Sequence, residues 1–114
     1  MFLTEKRVLD ELIKEIKENP LFIERVEEVI VFGSRVRGDF TGESDFDVLV
    51  IIKDKDLTIE TAIIELFGEK EDAAGIPFSV VVKDKQTFDK ERRYRTGFAL
   101  EIEKEGITIY KKVD

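Results

Sequence analysis

Apolar side chains recur at three- and four-residue spacing near the start of the chain, where Val8, Leu9, Leu12, Ile13 and Ile16 would share one face of a helix over residues 4–19. Thr4 is the expected cap of that helix, and Asn19-Pro20 its end. Leu21, Phe22 and Ile23 form an apolar patch, read as a short helical turn that seats the first strand. The pattern then becomes continuous. Residues 28–32 are mostly apolar and β-branched and end on Gly33, as a buried strand does, and residues 48–52 repeat the signal. In the second strand side chains alternate, so Asp45 and Asp47 share one face while Phe46 and Val48 point into the core.

Beyond a charged turn at residues 53–56, Thr58 opens a second helix with Ile59, Ala62, Ile63, Leu66 and Phe67 on one face. Residues 69–72 continue it in solvent, and Gly75-Ile76-Pro77 stops it before a strand over residues 78–82. That helix is the crossover that brings the third strand beside the second. Residues 89–95 are charged, with Tyr94 and Phe98 expected to anchor the segment to the core and Gly97 to break it. Phe98, Leu100 and Ile102 precede a helix end capped by Gly106, and residues 107–110 alternate as an edge strand closed by Lys111 and Lys112. The order of elements predicts an α/β (α+β) fold, a mixed sheet with helices packed on one face and the site along its open side.

Composition narrows the chemistry. A length of 114 residues gives a single domain, 1–114, without room for a separate acceptor-binding domain, so an acceptor would come from a partner or a second subunit. The net charge of -7 and a pI near 4.8 argue against general nucleic-acid binding, which needs an excess of Lys and Arg. There is no cysteine and no histidine, which excludes a disulfide framework, thiol chemistry, an ordinary zinc site and an imidazole base. Any metal chemistry must use oxygen ligands. No apolar run reaches bilayer length and the N-terminus lacks a signal-peptide pattern, so the expected location is the cytoplasm, with no membrane association. With 39% charged residues, one Met, one Asn and one Gln, the composition leans toward a thermophile.

The candidate chemistry lies between the first two strands. Gly33 removes the Cβ that would keep a ligand off the backbone, and Ser34 is placed to cap a short helix whose first N–H groups favour an anion. Arg35 and Arg37 add cations, and Gly38 with Gly42 lets the chain turn back. Asp45 and Asp47, about 6–7 Å apart by strand rise, repel each other unless a cation lies between them. Oxygen ligands on an open strand suit Mg²⁺ or Mn²⁺, which accept phosphate oxygens as further ligands. Lys90, Arg92, Arg93 and Arg95 form a basic cluster that would serve a phosphate, an acidic partner, or simply an exposed helix face.

Gly33-Ser34, ten intervening residues, then Asp45-Phe46-Asp47 resembles the signature of minimal nucleotidyltransferases, small members of the polymerase-beta-like nucleotidyltransferase superfamily. The leading helix, the first strand, Arg35 and Arg37 around Val36, and residues 105–110 extend the likeness over most of the chain. The resemblance implies the polymerase-beta-like fold and a nucleotidyl transfer in which an acceptor hydroxyl attacks the α-phosphate of ATP or another NTP and pyrophosphate leaves. It implies that Gly33 and Ser34, with Arg35 and Arg37, bind the nucleotide and that Asp45 and Asp47 are catalytic and ligate Mg²⁺ or Mn²⁺. It also implies a HEPN-type helical protein as partner, with this chain as its antitoxin. A homodimer with the basic cluster facing the acidic site of its mate is a further arrangement.

One position departs from the family. A third carboxylate is expected on the strand of residues 76–82, and Ser79 stands there. Asp84, about 16 Å further along an extended strand and on the opposite face, is a poor replacement. The alternative reading is therefore a catalytically impaired module that binds nucleotide or a partner.

Overall fold

The computed structural model describes residues 3–38 and 45–113. The expected turn through Gly42 lies outside the described residues.

The first helix, α1 (Leu3–Glu18), buries Val8, Leu9, Leu12 and Ile16, as their spacing predicts. It begins at Leu3, so Thr4 lies within its first turn rather than capping it. Asn19 acts as the cap of α2 (Pro20–Arg25): its side chain accepts a hydrogen bond from the Leu21 N–H, and Pro20 occupies the first turn, where no N–H is needed. The same dipeptide ends one helix and begins the next. Phe22 is buried and leads the chain into β1 (Val26–Phe32).

After the four-residue helix α3 (Ser34–Arg37), β2 (Phe46–Ile52) returns antiparallel to β1. Helix α4 (Leu57–Ala74) then crosses over, and β3 (Phe78–Asp84) lies parallel to β2. Asp56 caps α4 by accepting from the Ile59 N–H at 2.9 Å, and Gly75 in a left-handed conformation ends it. Two further helices come next, α5 (Lys85–Tyr94) and α6 (Gly97–Glu105), before β4 (Ile107–Lys111) pairs antiparallel with β1. The sheet order is β3-β2-β1-β4. It is the expected mixed sheet.

The placement of helices corrects the sequence reading in one respect. Val29 and Val31 of β1 and Phe46, Val48, Val50 and Ile52 of β2 pack with α1, α2 and α4. Ile30 and Phe32 with Leu49 and Ile51 form a second core with Phe88 of α5 and Ala99 and Ile102 of α6. Helices thus cover both faces, because the continuous apolar runs of β1 and β2 leave two apolar faces rather than one. Tyr94 also departs from expectation. It is 74% exposed and anchors nothing, and the anchor is Phe98, whose ring meets Phe32 at 5.7 Å and Phe88 at 6.1 Å. Gly97 opens α6 instead of breaking a helix, because Arg95 takes the left-handed turn and Thr96 caps the new helix.

Candidate functional site

β1 delivers the chain to Gly33, whose φ of 84° and ψ of -169° belong to a region essentially reserved for glycine. The turn closes with Arg37 N–H donating to the Gly33 carbonyl at 3.1 Å and Gly38 N–H to the Ser34 carbonyl at 2.9 Å. Gly33 itself holds the cap position of α3, without a side-chain cap bond. Ser34 is therefore the first helical residue and not the cap that its type and position predicted.

Phe32 pairs across the β1–β2 ladder with Asp47. This register brings the Asp47 carboxylate onto the bare face of Gly33, where a Cβ would overlap its Oδ2. A glycine is required here twice, by backbone conformation and by the close approach of the acid. Asp45, exposed and just before β2, stands two residues away. Burial first, and then the negative charges of Asp45 and Glu101, push the Asp47 carboxyl above its ordinary 3.8, with Arg37 opposing them.

The two arginines of the turn diverge. Arg35 is 9% exposed and donates to Glu5 of α1 at 2.7 Å, within an ion pair buried at both ends. Arg37 is exposed, donates to Glu105 of α6 at 2.8 Å and is close enough to Asp47 to act on its ionisation. Gly33, Ser34, Asp45, Asp47 and Arg37 are thus gathered at one end of β1 and β2, and Arg35 reaches toward α1.

On β3, Ser79 is in register with Asp47, on the same sheet face and one strand spacing of about 4.8 Å away. Asp84 is engaged elsewhere. Its carboxylate accepts from the Lys55 N–H at 2.9 Å and the Gln86 N–H at 3.0 Å, and the first of these bonds is the main cause of its lowered pKa. The basic cluster is apart from the aspartates as well. Arg92 pairs with Glu28 at 3.3 Å and stacks over Phe88. With Arg95 it lines a cleft of about 450 Å³ floored by Ile30 and Ile102, to which neither Gly33 nor Asp47 contributes.

Glu101 was not singled out by the sequence. Its only signal is the spacing of Phe98, Glu101 and Glu105 along one stripe of α6, which acquires meaning once α6 is known to lie over β1.

The donor set fits a hard divalent cation. Asp45 and Asp47 present two mutually repelling carboxylates beside a backbone turn, and Mg²⁺ typically takes one or two carboxylates together with phosphate oxygens and water. Among the described residues no three acidic side chains converge to hold an ion by themselves, so substrate oxygens would have to complete the shell.

Comparison with known proteins agrees with this geometry. Residues 9–108 match the family model described as "Nucleotidyltransferase domain". A Methanocaldococcus jannaschii protein named "Putative protein adenylyltransferase MJ0604" is 28% identical over 108 residues, covering 95% of this chain and 100% of that protein. A second from the same organism, "Putative protein adenylyltransferase MJ0141", is 30% identical over 102 residues, covering 87% of this chain and 96% of its own. Among solved structures, one titled as that of "a putative nucleotidyltransferase from Sulfolobus solfataricus" superposes with a TM-score of 0.54 at 21% identity, over 93% of this chain and 79% of that one, and shows the same fold. The family match runs through the turn, both aspartates and the strand bearing Ser79, and the chain belongs to the nucleotidyltransferase domain family.

Proposed function

We propose that the protein transfers AMP from ATP, with Mg²⁺ or Mn²⁺, to a hydroxyl on a partner macromolecule. The observation that carries this reading is the seating of the Asp47 carboxylate against Gly33, which brings the glycine turn and an acidic pair together. Gly33 and Ser34 bind the outer phosphates through the turn, and Arg37 adds positive charge beside them. Asp45 and Asp47 hold the metal, which when bound neutralises the charge of the phosphates. The acceptor oxygen forms a bond to the α-phosphorus as the bond from that phosphorus to the bridging oxygen breaks. Pyrophosphate departs, and the hydroxyl proton passes to a carboxylate of the site. Arg35 supports the turn through Glu5 of α1.

The names of the two M. jannaschii relatives favour AMP as the group and protein as the acceptor. The partner, in this reading, is a HEPN-type helical toxin restrained by the modification.

Calorimetric titration with ATP, with and without Mg²⁺, tests the site. Binding should require the metal and disappear in the Asp45→Asn, Asp47→Asn double variant. Unchanged affinity in that variant would remove the metal-site assignment. A second reading, a module that binds nucleotide without transferring it, is favoured by Ser79 in register with Asp47. Transfer of label from ATP marked at the α-phosphate to a HEPN-type partner would rule this second reading out.

A further inference from the structure

We propose that Glu101 supplies from α6 the third acidic group that β3 lacks at Ser79, acting through the water shell of the ion that Asp45 and Asp47 hold. The proposal rests on the reading of the site given above.

Helix α6 lies over β1 with Ala99 and Ile102 buried beneath it. Residues 98, 101 and 105 are spaced three and four apart, which places them one above another along a single stripe of that helix. Both ends of the stripe are fixed on the site. At one end Phe98 meets Phe32 edge-on at 5.7 Å, and Phe32 is the cross-strand partner of Asp47. At the other, Glu105 accepts from Arg37 at 2.8 Å, and Arg37 closes the turn that starts at Gly33. Glu101 lies between the two anchors, so it faces the ground that Gly33 and Asp47 share. The electrostatics agree, since its charge acts on Asp47 alongside that of Asp45.

Glu101 is exposed, so packing does not demand an acid there. Placing a third negative charge beside two others is unfavourable in the empty site and becomes favourable when a cation is present. Direct ligation by all three is not what the geometry offers, because no such triplet converges among the described residues. Mg²⁺ and Mn²⁺ keep several waters, and an acid one layer out can orient them. Ser79, one strand away from Asp47, leaves open the side from which a strand-borne acid would have acted.

The test measures Mn²⁺ affinity by electron paramagnetic resonance in the presence of an ATP analogue whose α–β bridge cannot be cleaved, with thermal midpoints recorded in parallel. Glu101→Gln should weaken Mn²⁺ binding about 10- to 100-fold, the usual range for loss of an outer-layer partner, without lowering the midpoint. Ser79→Asp added to Glu101→Gln should restore most of that affinity. Glu103→Gln, on the same helix and with the same change in net charge, should leave it unchanged. Equal effects of the Glu101 and Glu103 variants, no effect of either, or failure of Ser79→Asp to repair the loss would overturn the proposal. If wild type bound no Mn²⁺, or bound it equally well without Asp45 and Asp47, the underlying reading would fall and the proposal with it.

Discussion

Asp47 is held where its own negative charge is disfavoured. Its carboxyl is raised above the ordinary 3.8 by burial and by the charges of Asp45 and Glu101, so the folded protein binds that proton more tightly than the unfolded chain does. Linkage fixes the sign. Stability is lost as pH rises from the unfolded value through the raised folded one, and the whole penalty remains at neutral pH. Asp47→Asn should therefore raise the thermal midpoint of the metal-free protein at pH 7, with the gain fading as pH falls through the raised value towards 3.8 and absent below it. Thermal scans across that range check it, and an equal gain at both extremes would mean that ionisation is not the cause. At this scale the sequence was informative where position depends on spacing: the nearness of Gly33, Asp45 and Asp47 was legible because a turn and an alternating strand place them. It could not separate Arg35 from Arg37. Two arginines flanking Val36 read alike until one is seen to enter the α1 interface and the other to stay at the surface.

Helix α3 is only four residues long and has little stability of its own, so the elements around it must hold it. Arg35 ties it to α1 and Arg37 ties it to α6. The two ties are unequal, because the first is buried at both ends and the second is partly solvated. Removing one partner of a buried pair typically costs about 3–5 kcal/mol, whereas an exposed pair is worth about 0–1 kcal/mol. Glu5→Ala should lower unfolding free energy by an amount near the first range and Glu105→Ala by an amount within the second, as measured by urea denaturation. Equal losses would contradict the burial seen in the structure. The long periodic helices and the apolar strands were readable element by element. The segment of α5 and α6 was less so, since its inward residues, Phe88, Phe98, Ala99 and Ile102, are sparse within a highly charged stretch. Its boundary is set by the positive φ of Arg95, a conformation that the residue type does not announce.

Taken whole, the molecule has a sheet with two apolar faces and a separate helical layer for each. The sequence signal for the sheet was strong, but the second layer was not foreseen, because a continuous apolar strand says that both faces are covered without saying by what. That layer matters to stability. Burying Ile102 contributes about 1.5–3 kcal/mol and the half-buried Phe98 adds to it, an appreciable part of the roughly 5–15 kcal/mol by which domains are usually stable. A fragment of residues 1–95 should lose cooperative unfolding in urea, monitored by far-ultraviolet circular dichroism. A sharp transition like that of the full chain would show that α6 and β4 are dispensable.

The strand order carries a consequence for synthesis. β1 lies between β2 and β4, yet β4 pairs with it across about eighty residues, and the link from Arg37 to Glu105 spans 68. A nascent chain that has already released Gly33, Asp45 and Asp47 still has an open edge on its central strand and no Glu105 for its turn. Contacts so distant in sequence form late. Half-made copies therefore lack part of the support for the Gly33 turn and expose a bare apolar edge of the kind that chaperones bind.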